Sequence, residues 1–385
     1  MVDTIKPPSM LGILGGGQLG RFFVISAQKM GYKVTVLDPD KNSPAGNIAD
    51  IHLCASYQDT SALDSIKKTC AAVTIEFENI PATTLEYLET DMVVRPSSKA
   101  VSIVQNRIYE KTFLKNNNFP VGPFIVISDT KSLDLVTNDM YPAILKIAQF
   151  GYDGKGQTHV NDRKELELAF DRFDFKPCIL EKKLSLQSEV SVVLARNSNG
   201  EKANFPVIEN QHISGILDVS IAPARVSNSL CIEAIHYAEA IATKLNYIGV
   251  IAIEFFISNE NIYINEVAPR PHNSGHHSLD SCDINQFDQQ VFALTDAPLN
   301  NPKLITSAVM VNLLGDIWFK EGKLNPPNFE IFEKFSKEVL HMYGKKEARQ
   351  GRKMGHFTVT GNNTETNLMR AKKIRSLLSK NENKE

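Results

Sequence analysis

Phe150-Gly151-Tyr152-Asp153-Gly154-Lys155-Gly156-Gln157 concentrates three glycines, Asp153 and Lys155 in one short loop. Glycine lets the backbone turn its N–H groups toward an anion with no Cβ in the way, and Lys155 adds positive charge, so the loop can grip phosphates. Gly156, and not Ser or Thr, follows Lys155. The Walker pattern G-x-x-x-x-G-K-[ST] is therefore not met, and a P-loop fold is not expected. By itself a glycine-rich turn is more often a plain surface hairpin, so its neighbours have to decide.

Immediately upstream, an apolar strand is expected over 143–148, with Lys146 alone among its apolar residues. A lysine inside such a strand needs an anion; a phosphate, a local ion pair or an edge position would each satisfy it. Downstream the pattern gives a strand over 157–160, a helix over 162–173 and strands over 178–182 and 189–196. With a strand over 124–127 and a helix over 131–136, this makes a small α+β lobe with an antiparallel sheet, beginning after the break at Asn116-Asn117-Asn118-Phe119-Pro120. Glu181 ends one of these strands and Glu189 opens the next. Such acids can hold an adenine amino group and ribose hydroxyls, or be ordinary surface charge at strand ends.

The N-terminal part has a different rhythm. A strand over 11–14 runs into Gly15-Gly16-Gly17-Gln18-Leu19-Gly20, a helix over 21–30 and a strand over 33–37 closed by Asp38. That β-α-β unit satisfies G-x-G-x-x-G with an acid where a ribose-binding residue would sit, which points first to a nicotinamide dehydrogenase. A strand over 71–77, a helix over 81–89 and a strand over 92–94 extend an open parallel sheet to about Ser98, and 98–118 reads as helical. Farther on come a helix over 229–245, strands over 249–257 and 261–265 with a turn at Asn259, and a strand-rich part from about 304. The chain then ends in a basic helix over 364–378, read as an ordinary solvated helix.

Glu254 and Glu266 each lie in or at the end of an apolar strand of one hairpin. Two facing carboxylates need a cation, and with Asn265 they offer the oxygen ligands Mg²⁺ prefers when it also takes nucleotide phosphate oxygens; an ion pair with Arg270 or a lysine is the competing reading. The following loop, Val267 to His277, carries Arg270, His272, Asn273, His276 and His277. Zinc is a weaker reading of its three histidines, because adjacent rings point apart in an extended segment.

Composition excludes several classes. The 385 residues, 42% of them hydrophobic, allow two or three domains with real cores. A formal charge of -2 supplies no basic field for nucleic acid. Cys54, Cys70, Cys178, Cys231 and Cys282 are scattered without a C-x-x-C pair, as in reduced cytoplasmic proteins. The polar N-terminus lacks a secretory core, and the longest apolar stretch, 247–257, is too short to span a membrane.

Together these motifs resemble the ATP-grasp superfamily and, within it, the N5-carboxyaminoimidazole ribonucleotide synthetase family. The likeness rests on Gly15 to Arg21 (GGGQLGR), Glu76 to Asn79 (EFEN), Gly151 to Gln157 (GYDGKGQ), Asn265 to His276 (NEVAPRPHNSGH) and Gly351 to His356 (GRKMGH), and it covers nearly the whole chain. It implies an ATP-grasp fold of mixed α/β and α+β class. Residues 1–105 would form an N-terminal Rossmann-like domain, 106–303 a two-lobed ATP-grasp domain with its small lobe at about 119–185, and 304–385 a small β-rich C-terminal domain with a terminal helix.

The resemblance also implies an ATP-dependent ligase that carboxylates aminoimidazole ribonucleotide with bicarbonate, through carboxyphosphate, in purine biosynthesis. ATP would be contacted by Arg107, Lys146, Gly151, Tyr152, Asp153, Gly154, Lys155, Gly156, Gln157, Glu181, Lys182, Lys183, Leu184, Glu189, His212, Asn265 and Glu266. Mg²⁺ would be held by Glu254 and Glu266, and the ribonucleotide by Gln18, Leu19, Glu76 or Glu78, and Asn273. Its phosphate would meet Lys346, Arg352 and Lys353, with Lys345 competing for the place of Lys346. Arg270 and His272 would grip bicarbonate, and Asp153 and Lys155 would reach the second substrate, Asp153 handling the amine proton. A cytoplasmic homodimer is implied, with the product passed to a separate mutase, for which the chain to Glu385 has no room. The formate-dependent glycinamide ribonucleotide transformylase shares the lobes and the paired acids. Glu76 to Asn79 and His272 to His276 look like the aminoimidazole enzyme and not like it.

Overall fold

The computed structural model describes residues 4–149, 151, 156–334 and 338–379. Its N-terminal sheet is parallel, in the order Ile51–Leu53, Lys33–Leu37, Met10–Leu14, Ala72–Ile75, Val93–Val94. The strands read as short apolar runs because helices cover both faces: Leu11, Ile13, Val34 and Val36 pack with Phe23 and Ala27 on one side, and Leu14, Leu37, Val73 and Ile75 with Leu63, Ile66 and Leu85 on the other. The strand Ile51–Leu53 and the helix Thr60–Thr69 went unread in the sequence.

The expected helix over 98–118 is two helices, Ser98–Val104 and Arg107–Asn116. Asn106 breaks it: its backbone is extended and its side-chain oxygen accepts from Ile108 N at 2.9 Å. The expected helix over 131–136 is a 3₁₀ turn, Lys131–Leu135. The small lobe is an antiparallel sheet in the order Phe124–Ile127, Cys178–Lys182, Ala143–Ile147, Gln157–Val160, backed by the helix Arg163–Arg172. Ala143 and Leu145 face that helix, so by the period of two Ile144 and Lys146 face away from it.

A nine-stranded antiparallel sheet carries the rest. Its main path runs Asn261–Ala268, Gly249–Ser258, Ser188–Arg196, Ile208–Ile213, Ile216–Ala222, Ser307–Leu314, Lys353–Gly361, Glu338–Met342. Strands from beyond residue 304 therefore join the central sheet, Val311 pairing with Val219. The terminal helix Thr364–Ser379 is not solvated all round: Leu368, Ala371, Ile374 and Leu378 are buried against Val219, Val311 and Phe357. Within Gly249–Ser258, Ile251, Ile253, Phe255 and Ile257 pack on the helix Asn228–Lys244, which turns Glu254 and Phe256 to the opposite face. On the neighbouring strand a bulge leaves Asn265 without an opposing residue, Glu254 pairing with Glu266 and Phe255 with Ile264. The strand continues to Ala268, past the expected end at 265.

Candidate active site: two cavities with a common wall

A cavity of about 850 Å³ lies between the small lobe and the nine-stranded sheet. The small lobe supplies Ile144, Lys146, Gln157, His159, Glu181 and the segment 182–186; the large sheet supplies Glu189, His212, Leu217, Glu254, Phe256, Asn265 and Glu266. Arg107 enters at the start of its helix. The bulge at Asn265 explains why consecutive side chains both reach this cavity, which a regular strand would forbid.

Several of its charges are partnered within the protein. Lys146, 8% exposed, is paired with Glu181, whose other oxygen lies 3.1 Å from Lys111 Nζ. Burial alone would push the Glu181 carboxyl up, but the two ammonium groups hold it well below the ordinary carboxylate range. Lys111 follows Arg107 by one helical turn, a spacing of four that was legible in the sequence and overlooked. Arg107 reaches Glu266 at 3.1 Å, and His212 Nδ1 lies 2.8 Å from Glu189. Burial disfavours a charged His212, yet Glu189 and Glu254 together raise its pKa above the ordinary value. Glu254 is pushed the other way: burial, and then Glu266 and Glu189, raise its carboxyl despite the nearby His212.

A second cavity of about 610 Å³ adjoins the first. Gly17, Gln18, Leu19 and residues 76–79 form one side, Ile216 another, and Lys345 with residues 349–353 the third. Glu78, Arg270, Asn273 and Lys353 line both cavities and form the wall between them. Arg270 donates through Nε to Glu78. Burial raises the Glu78 carboxyl, but Arg270 overrides it and brings it down to about 2. Among the described residues neither Oδ1 nor Nδ2 of the buried Asn273 has a hydrogen-bond partner, and the residue lines both cavities. His272 accepts or donates at Ser274 Oγ (2.8 Å) and lies 3.2 Å from Glu254; burial, reinforced by Arg270, holds its ring neutral.

The structure distributes the sequence-derived residues unevenly. Gly151, Gln157, Lys182, Lys183 and Leu184 join the first cavity, and Gln18, Leu19, Glu76, Arg352 and Lys353 the second. Gly156 turns the chain at φ +73°. Tyr152, Asp153, Gly154 and Lys155 lie outside the described residues. Lys346 does not line the second cavity: it is exposed and donates to Asn42 Oδ1 at 2.7 Å, whereas Lys345 reaches Gln18 Oε1 at 3.0 Å. Successive residues project to different sides here, so a shift of one residue decides which lysine lines the cavity. Arg349 also lines this cavity and went unremarked in the sequence.

The dinucleotide reading of the first glycine motif fails on its own hydrogen bonds. Gly17 N and Gly20 N donate to the two carboxylate oxygens of Glu76 at 2.5 and 2.6 Å, and Gly16 N donates to Asp38 Oδ2 at 2.7 Å. The protein's own carboxylates thus occupy the anion position at the helix start that a pyrophosphate would need. Asp38 also accepts from Asp40 N and the Tyr57 hydroxyl, which fixes the loop. A Cβ on Gly15 would stand 2.3 Å from Glu76 Cγ and one on Gly17 2.3 Å from Glu76 Oε1, so these glycines admit a side chain of the protein and not a cofactor.

Comparison with known proteins gives three matches along the chain: a ribonucleotide synthetase preATP-grasp domain over 9–105, an ATP-grasp domain over 112–287 and a phosphoribosylaminoimidazole carboxylase C-terminal domain over 308–370. The N5-carboxyaminoimidazole ribonucleotide synthase of Bacillus subtilis (strain 168) is 39% identical over 358 residues, 92% of either chain. A crystal structure of an N5-carboxyaminoimidazole ribonucleotide synthetase with ADP superposes with a TM-score of 0.91 at 39% identity, covering 97% of this chain and 98% of that one. The Aspergillus clavatus N5-carboxyaminoimidazole synthase, solved with ADP and 5-aminoimidazole ribonucleotide, gives 0.87 at 28% identity over 96% and 99%.

Proposed function

The chain belongs to the N5-carboxyaminoimidazole ribonucleotide synthase family, and from that membership we propose how its two cavities divide the family's reaction. The enzyme is an ATP-dependent ligase that carboxylates 5-aminoimidazole ribonucleotide with bicarbonate, giving N5-carboxyaminoimidazole ribonucleotide, ADP and phosphate. The larger cavity takes ATP and the smaller takes the ribonucleotide. What carries this division is the common wall of Glu78, Arg270, Asn273 and Lys353: two cofacial sites need a shared boundary where an activated carboxyl group can pass from one to the other.

The residues at the mouth of the large-sheet hairpin fit a divalent cation. Glu254 and Glu266 pair across strands, and the buried Asn265 Oδ1 has no hydrogen-bond partner among the described residues. Burial and the neighbouring Glu266 and Glu189 carboxylates make a charged Glu254 costly, a repulsion that a cation would relieve. Glu254, Glu266 and Asn265 would hold Mg²⁺, which when bound neutralises charge on nucleotide phosphate oxygens.

Bicarbonate is a poor electrophile until one oxygen becomes a leaving group, and phosphorylation to carboxyphosphate supplies that group. Lys146 and Arg107 place positive charge along the phosphates during this transfer. Arg270 and Asn273 hold the carboxyl donor at the wall, and His272, kept neutral, orients it by hydrogen bonding. The substrate amine then takes the carboxyl group, its proton going to Asp153 on the strength of the loop motif, while Lys345, Arg352 and Lys353 hold the ribonucleotide phosphate. Asp153→Asn should depress carboxylation far more than ATP affinity; equal loss of both removes Asp153 from the role. We further infer from the family resemblance a cytoplasmic homodimer whose product goes to a separate mutase. Phosphate release from ATP and bicarbonate, with and without the ribonucleotide, tests the whole reading. Release that requires formate and glycinamide ribonucleotide instead would overturn it.

A further inference from the structure

Beside the smaller cavity, and outside both sites, three histidines and an aspartate meet where the N-terminal helix, the loop after the hairpin and the last strand pair come together. His341 on Glu338–Met342 and His356 on Lys353–Gly361 are directly opposite in the antiparallel pair, so their rings share one face, stacked at 4.6 Å between centroids. Asp280, on the short helix Ser278–Ser281, points into the same space: both its oxygens lie 3.0 Å from His341 Nε2. One ligand-type atom from each of Asp280, His341 and His356 falls within 4.8 Å of the others.

An aspartate–histidine ion pair accounts for only half of this arrangement. His356 is fully buried and its Nε2 has no hydrogen-bond partner among the described residues, a cost the fold would normally avoid. Its other nitrogen, Nδ1, is engaged 2.8 Å from the Tyr343 hydroxyl, the kind of second contact that fixes a ligating imidazole in orientation. His276, 4.9 Å from His356 between centroids, is not a free ligand, since its nitrogens lie against Gln286 Nε2 at 3.1 Å and Gln18 Nε2 at 3.4 Å.

We propose that Asp280, His341 and His356 form a binding site for a single divalent transition cation of the zinc class, which fastens the last strand pair to the loop that carries the common wall. Two imidazoles and one carboxylate favour such a cation over magnesium, and three protein ligands leave a fourth position for water. At ordinary zinc bond lengths two ligands on a tetrahedral centre stand roughly 3.3 Å apart, close to the observed His341–Asp280 separation. The site is separate from Glu254 and Glu266 and does not depend on the reading of the cavities.

The test uses the full chain, stripped with a chelator and titrated calorimetrically with Zn²⁺ in saturating Mg²⁺ and ADP, so that the carboxylates of the larger cavity are occupied. The expected result is one saturable equivalent, weakened in His341→Gln and in Asp280→Asn by more than the roughly 10- to 100-fold that loss of a mere outer-shell partner costs. Co²⁺ should give the visible bands of a tetrahedral centre in the wild type only. His341 is 21% exposed in its side chain, so its variant keeps the fold even if His356→Gln does not. No saturable binding by the wild type overturns the proposal. So does equal uptake by the wild type and both variants, as exposed Cys54 would produce.

Discussion

The two cavities reach similar size by different means. The larger is built mostly on strands and one helix start, where several charges are paired within the protein: Lys146 with Glu181, Arg107 with Glu266, His212 with Glu189. The smaller gathers its cations from irregular chain at 345–353, set against the fixed N-terminal loop that Glu76 and Asp38 hold together. On the proposed division, the polyphosphate site needs charges held in place at the reacting atoms, and strands provide that rigidity. A site for one terminal phosphate needs reach more than rigidity, and a loop is enough. The difference can be tested cavity by cavity.

The largest effect belongs to the rigid side. Lys146→Met should lower the turnover of ATP-dependent phosphate release by about 10³-fold, the order expected for losing a preorganised charge at a phosphoryl group. A loss under tenfold would mean that Lys111 carries the role. At the wall, Glu78→Gln should destabilise the protein by up to about 3 kcal/mol at neutral pH. The sign follows from a carboxyl whose folded pKa is about 2 against an ordinary 4.5: the stabilisation is full above 4.5 and disappears as pH falls from there toward 2. Denaturant melts of wild type and variant should therefore converge in acid, and a constant gap would exclude the Arg270 pairing as its source.

On the loop side the effects should be confined to one substrate. Arg352→Ala is expected to raise the KM for the ribonucleotide roughly 10- to 100-fold, as for a lost charged hydrogen bond, with the KM for ATP unchanged. A parallel rise in both would show that the cavities are not divided as proposed. The smallest and sharpest comparison is between neighbours: Lys345→Met should raise the ribonucleotide KM about tenfold and Lys346→Met by less than about twofold. The reverse order would return the contact to Lys346.

Legibility in the sequence followed the same divide. Lys146, Glu181, Glu189, Glu254 and Glu266 were found because a charge within an apolar alternating run is conspicuous, and the strand period fixes which face it takes. Lys345 and Arg349 were ambiguous or unremarked because no period governs a loop, so nothing local says which of two adjacent lysines turns inward. The first glycine motif misled for another reason. Its pattern is that of a dinucleotide site, and the carboxylate that fills its anion position, Glu76, lies 59 residues from Gly17. The hairpin over 208–222 was also unread, since its inner strands carry Asn210 and Ser220, polar residues that bond to each other inside the sheet.

What the sequence by itself determined is the family, the parallel N-terminal sheet, the antiparallel small lobe and the acids of the large-sheet hairpin. All of these rest on local periodicity and on motifs whose residues are neighbours in the chain. The tertiary structure alone decided that the C-terminal strands complete the central sheet, that Glu76 and not a cofactor occupies the first glycine turn, and that two cavities meet at Glu78, Arg270, Asn273 and Lys353. Each of these depends on contacts between residues far apart in sequence, whose energies are set by burial and charge pairing that no local pattern encodes.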